Sequence, residues 1–379
     1  MKIDQRKWTG SAGWEPASPG PISGSAQLAL VFGATSLLKD PKHVEAIRQT
    51  YPAAHVLGCT TAGEILGTQV TDETIVTTAV HFEHTTFQGA EIRLSEVKDD
   101  FEAGQRLAAA LSKEKLVHVF VISDGQKVNG SELVRGLTSG LPSGVAVTGG
   151  LAGDGPRFGQ TLVFLDSTPE PEKIAVLGFY GDRLKIGYGS KGGWDPFGPE
   201  RLVTRSKGNV LYELDGQSAL ALYKKYLGDY AKDLPASGLL FPLNVRVKEG
   251  DNGVVRTILG VSEEDQSMTF AGDVPEGSFA RLMKANFERL VDGATGAAQT
   301  SYEAIGSTPP DLAILISCVG RKLVLKQRVE EEVESVLETL GGKTAITGFY
   351  SYGEICPAAP YADCELHNQT MTITTLSER

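Results

Sequence analysis

The sequence has no long hydrophobic run. No stretch of its 379 residues approaches the roughly 18 consecutive apolar residues that a membrane-crossing helix needs. It also lacks positive charge: 36 Lys and Arg stand against 47 Asp and Glu, a net charge of −11. Nucleic acid and anionic membrane surfaces demand a basic face, so neither is an expected partner. Cysteine is scarce, with Cys59, Cys318, Cys356 and Cys364 and no C-x-x-C pair among them. That pattern fits free thiols in a reducing cytosol rather than a disulfide framework. Residues 1–27 have no apolar central region of the kind a secretory signal carries, so the expected location is cytoplasmic. There is no G-x-S-x-G elbow, P-loop or H-E-x-x-H pair, and the expectation is that the chain is not an enzyme.

What the sequence does have is a stretch that occurs twice. GCTTAGEI runs from Gly58 to Ile65, and GFYSYGEI from Gly348 to Ile355. A looser relative, TGGLAGDG, spans Thr148 to Gly155 and carries Asp154 where the others carry Glu64 and Glu354. Each follows a short apolar run, and each lies about thirty residues or slightly more beyond another such run: LALVF at 28–32, HVFVI at 118–122, LAILI at 312–316. Helix-length patterns separate the runs. Asp40-Pro41 opens one helix by capping and by the fixed φ of proline, and Val329, Val333, Val336 and Leu340 stripe another. The pattern predicts an α/β protein made of two related halves of strand–helix–strand modules with mixed β-sheets. Residues 1–26, rich in Gly, Pro and Ser, read as a flexible N-terminal tail, with Trp8 and Trp14 docking on the body. The expected domains are 27–205 and 206–379. The segment from Gly187 to Gly198 holds too many glycines for a regular element and reads as a loop, and 278–290 reads as a helix.

Ligands of open α/β sheets gather at the carboxyl ends of strands, where all three acidic loops fall. Glu64, Glu354, Asp124 and Asp154 are therefore candidates for holding an ammonium group. The glycines beside them present backbone amides to a carboxylate, and Arg321 is a candidate for binding one bidentately. Trp194, set among glycines, is a candidate ring to close over a ligand. A second reading stands beside this one: the acids cap helices and brace loops duplicated with the fold, and Trp194 anchors a crossing segment.

Taken together, LGCTTAGEI, VISDG, TGGLAGD, VTRSKGNVLYELDGQSALALY, FAGDVPEG, TGFYSYGEI and ELHNQTMTI resemble the FIST family, N-terminal domain followed by C-terminal domain, over residues 26–376. The resemblance implies a cytoplasmic sensory protein of signal transduction that binds a small polar ligand, with amino acids the ligands proposed for the family. The chain carries no recognisable output segment, so the implied partner is separate: a histidine kinase or a cyclic-dinucleotide enzyme. No cofactor is expected. Some members of the family are haem proteins that sense nitric oxide, so a haem-based sensor acting on a histidine kinase is the alternative. Its axial ligand would be His367 or His118, since haem iron usually takes a His. A second alternative is an enzyme acting on a small metabolite.

Overall fold

The protein is described by a computed structural model that covers residues 1–248, 250, 253–357 and 362–379. It is a mixed α/β structure, as its alternating runs predict. Three modules share one plan. In the first, strands Leu28–Gly33 and His55–Thr60 pair in parallel around helix Pro41–Thr50. In the second, Leu116–Ser123 and Ala146–Leu151 flank helix Gly130–Gly140. In the third, Leu312–Cys318 and Ala345–Ser351 flank helices Val319–Leu325 and Val329–Leu340. Capping fixes where two of the helices begin. The Asp40 side chain accepts from the Lys42 N–H, and Asn129 accepts from Ser131 and Glu132.

The strands are apolar on both faces because both faces are covered. Leu28, Leu30 and Phe32, with Phe120, Ile122, Ile314 and Ile316, turn into one central core shared by the three sheets, where Phe32 and Phe349 lie 4.8 Å apart. The alternate residues face each module's own helix. Ala29 and Val31 meet Val44 and Ile47, while Val119 and Val121 cluster with Leu133 and Leu137. Strand periodicity thus gives each module a face towards the common core and a face towards its helix, and the helix-side residues of the second and third modules merge into one cluster with Ala313, Leu315, Val333 and Val336.

Each sheet is finished by a strand borrowed from another module. Glu64–Leu66 follows the first module but pairs with Ala345–Ser351 of the third. Gly353–Pro357 follows the third but pairs with Ala146–Leu151 of the second. Val163–Leu165 follows the second and pairs with His55–Thr60 of the first. The exchange closes a ring, so no module can leave without breaking strand pairing.

An antiparallel β-region wraps helix Ala219–Leu227. Its strands include Trp194–Lys207, Val210–Leu214, Ser267–Phe270 and Phe279–Ala285, and its separate core holds Val203, Leu214, Leu220, Tyr223 and Phe270. Between it and the third parallel pair lies helix Phe287–Ala304.

Four expectations change. Residues 1–26 are not a tail. Lys2–Thr9 pairs along its length with Ile75–His81, and Gly13–Glu15 folds back on it. The buried polar residues that disguised this strand are paired: Asp4 accepts from the Tyr51 hydroxyl at 2.8 Å, and Arg6 donates to the Pro16 and Ala17 carbonyls. Trp8 docks on the body, against the His43 ring. The segment from Gly187 to Gly198 is not a loop but parts of two strands, Leu184–Lys191 and Trp194–Lys207. Two of its glycines serve helix packing, because a Cβ at Gly187 or Gly189 would lie 2.0 Å from the Ser301 carbonyl or 2.3 Å from that of Ala297. The stretch 278–290 forms strand Phe279–Ala285 before its helix starts at Phe287, with Asn286 as the cap. The division expected at 205/206 falls inside strand Trp194–Lys207, and the third module's sheet includes strands from both sides of it.

Candidate functional site: a three-loop hub and the cavity beside it

The three acidic loops converge. Gly153 donates its N–H to the Thr60 carbonyl, Ala62 to that of Tyr350, and Tyr352 to that of Leu151. Each module's loop is thereby tied to the next. The opening glycines are required by proximity. A Cβ at Gly58, Gly149 or Gly348 would come within 2.5, 1.8 or 1.9 Å of a carbonyl on the parallel partner strand.

The acids themselves are buried and partnered. Glu64 accepts from the Thr61 hydroxyl at 2.5 Å and from the Thr74 hydroxyl and N–H at 2.6 and 3.2 Å. Glu354 repeats the arrangement with the Ser351 hydroxyl at 2.6 Å and the Thr370 hydroxyl and N–H at 3.0 and 3.1 Å. Burial outweighs these hydrogen bonds and pushes Glu64 up to about 7 and Glu354 up to about 8. Asp154 accepts from the Gly159 and Gln160 amides, and the Tyr352 hydroxyl lies against it. Asp124 accepts from the amides of Gln126, Lys127 and Glu172. These acids brace loops.

Arg321 is fully buried against Glu332, with contacts at 2.7 and 3.0 Å, and also donates to the Leu290 and Gly192 carbonyls. Its donors are committed to Glu332 on helix Val329–Leu340 and to these two carbonyls. Trp194 is buried with Leu290, Val324 and Leu325 and donates its indole N–H to the Gln369 carbonyl at 2.9 Å. It anchors two segments.

One candidate, Glu64, also lines a cavity of about 560 Å³ beside the hub. All three modules contribute to it: Ala34 and Thr61–Glu64 from the first, Gly155–Arg157 from the second, and Val319, Lys322, Leu323 and Lys326 from the third, with Asp72 and Glu73 on the rim. It lies at the carboxyl ends of the parallel strands. The Lys322 ammonium donates to the Ala62 carbonyl at 2.9 Å, sits 5.5 Å from the centre of the Tyr350 ring and pairs with Asp72. It rests over Gly63, whose φ of 139° and missing Cβ make the room. Arg157 pairs with Glu73 at 3.4 Å. Lys326 has no side-chain partner among the described residues.

A model of the FIST N domain matches residues 27–217, and one of the FIST C domain matches 219–357. The chain belongs to the FIST family. FIST domains are sensory domains in signal transduction. An uncharacterized protein of Methanocaldococcus jannaschii is 25% identical over 82% of this chain and 64% of its own length. An uncharacterized protein of Mycobacterium tuberculosis is 25% identical over 60% of each. The chain thus spans less than two thirds of the length of these curated relatives. Among solved structures, a cyanuric acid hydrolase from A. caulinodans aligns over the whole chain at a TM-score of 0.38 and 9% identity.

The two histidines that the haem reading of the FIST resemblance names are both buried. His118 is buried in a central strand, with Nε2 at 2.8 Å from the Thr148 hydroxyl. His367 places Nε2 at 2.9 Å from the Cys356 carbonyl. Burial drives the two rings down to about 3 and about 4, respectively. Neither lines the cavity. Neither ring is therefore placed to ligate a haem bound in that cavity. Sequence reading missed Lys322, Asp72, Lys326 and Arg157. Lys322 stands next to Arg321, and that adjacency is the one signal that pointed near it.

Proposed function

We propose that this FIST protein senses a small polar ligand, an amino acid, in the cavity beside the hub, and passes the signal to a separate partner such as a histidine kinase or a cyclic-dinucleotide enzyme. The observation that supports this reading is the lining. Lys322, Lys326 and Arg157 supply cations and Glu64, Asp72 and Glu73 supply acids around one volume, whose apolar walls are Ala34, Val319 and Leu323. A zwitterion presents both charges to such a lining, and the volume is within the range that small-molecule pockets occupy. The test is a thermal-shift panel of the twenty amino acids. A ligand at about a hundred times its dissociation constant adds roughly 2.7 kcal/mol, or about 2–4 °C for a protein of this size. The expected result is such a shift from one or a few amino acids, lost in Lys322→Met. No shift from any of them, and no heat on calorimetric titration, would overturn the reading.

A further inference from the structure

The rim of the cavity is a short strap, Asp72-Glu73-Thr74, held by side chains from every module. Asp72 pairs with Lys322 of the third. Glu73 accepts from Arg157 of the second at 3.4 Å and from the Ser36 hydroxyl of the first at 2.6 Å. Thr74 reaches down to Glu64. Glu73 holds a φ of 54°, a left-handed backbone that L-residues other than Asn and Asp seldom adopt. At its far end the Ala34 N–H donates to the Thr74 carbonyl, so Asp72 and Glu73 are the strap residues held by side chains alone.

The Lys322–Asp72 tie is asymmetric. The Asp72 side chain is 68% exposed and that of Lys322 is 16% exposed. Lys322 has two holds besides Asp72, since its ammonium also donates to the Ala62 carbonyl and lies over the Tyr350 ring. It is a preorganised anion subsite whose present occupant is an exposed carboxylate of the same chain. We propose that Asp72 is a resident stand-in: the carboxylate of the ligand takes its place on Lys322 and frees the strap. This deepens the amino-acid reading above and rests on it. Release would reach the neighbouring module directly. The strap continues from strand Gln69–Thr71, which pairs with Glu64–Leu66 on the third module's sheet, and the Val70 N–H donates to Glu330 at 3.2 Å. Ligand entry would thereby become a change at the joint between two modules, driven by the difference in affinity between the strapped and released states.

The experiment is calorimetric titration of the full chain and two variants, Asp72→Asn and Lys322→Met. The probes are the amino acid with the largest thermal shift, its 2-hydroxy acid (carboxylate without ammonium) and its decarboxylated amine (ammonium without carboxylate). A built-in competitor lowers apparent affinity by the fraction of time it occupies the site, and an ion pair whose carboxylate is 68% exposed is weak. Asp72→Asn should therefore bind both carboxylate probes about threefold to tenfold more tightly. Lys322→Met, with its fold checked by circular dichroism, should bind both at least about tenfold more weakly, and the amine should not bind. Weaker binding of the amino acid alone in Asp72→Asn would make Asp72 an ammonium acceptor. That overturns displacement and leaves the amino-acid reading standing. Unchanged affinity in either variant, or binding of the amine alone, overturns the proposal as well. If no probe binds the wild-type chain, both readings fall together.

Discussion

Glu354 lies fully buried, and its three donors do not offset the loss of water, so its proton is retained to about pH 8 rather than 4.5. This gives the stability of the protein a definite slope. Below about pH 4.5 the folded and unfolded chains both hold this proton, and the contribution is fully present. Between 4.5 and 8 the unfolded chain releases it and the folded chain does not, so stability falls as pH rises, by about 1.4 kcal/mol per unit. From pH 5 to 8 the fall due to Glu354 is about 4 kcal/mol. In Glu354→Gln the residue is neutral at every pH. In the Glu354 geometry its amide oxygen can accept from the Thr370 N–H, and its NH₂ group can donate to the oxygen of the Ser351 hydroxyl. The variant should match the wild type at pH 5 and exceed it by about 4 kcal/mol at pH 8. Urea denaturation at pH 5, 6.5 and 8 measures this. Glu64 carries a similar slope in both proteins and cancels in the difference. A pH-independent difference, or a variant that becomes relatively weaker towards pH 8, would mean that the ionised carboxylate is satisfied by its donors, and the argument from burial would be refuted.

Two further outcomes test the packing. Arg321→Met strands the buried Glu332 carboxylate and should cost about 3–5 kcal/mol, while Arg321→Met with Glu332→Leu should lose less than the single change; chemical denaturation of both variants checks this. Gly189→Ala places a Cβ 2.3 Å from the Ala297 carbonyl, forcing helix and strand apart for about 2–3 kcal/mol. Gly260→Ala, which meets nothing within 4 Å, should stay within about 0.5 kcal/mol of the wild type by the same measurement.

Much of the fold was legible because its determinants are local. The apolar runs at 28–32, 118–122 and 312–316 became the central strands, and Asp40 capped the helix its sequence announced. The failures share a cause. Lys2–Thr9 and Leu184–Lys191 look unlike strands because their polar and glycine residues answer to distant groups: Tyr51 for Asp4, and the Ala297 and Ser301 carbonyls for Gly189 and Gly187. At the site, the repeated Gly-Glu motif marked the right place, but the individual side chains could not be sorted. Glu64 and Glu354 follow one pattern and have equivalent hydrogen-bond partners, yet of the two only Glu64 lines the cavity.

The sequence by itself determined the modules, because strand alternation, helix stripes and caps act over a few residues. Tertiary structure alone decided the ring of exchanged strands, the closure of the three loops into a hub, and the cavity beside it. Lys322 and Asp72 stand 250 residues apart in the chain, and the hairpin that brings them together pairs with a sheet from the opposite end of the sequence. The physical reason is range. Backbone propensity is written residue by residue, whereas a charge finds its partner only after the core has chosen which strands lie side by side.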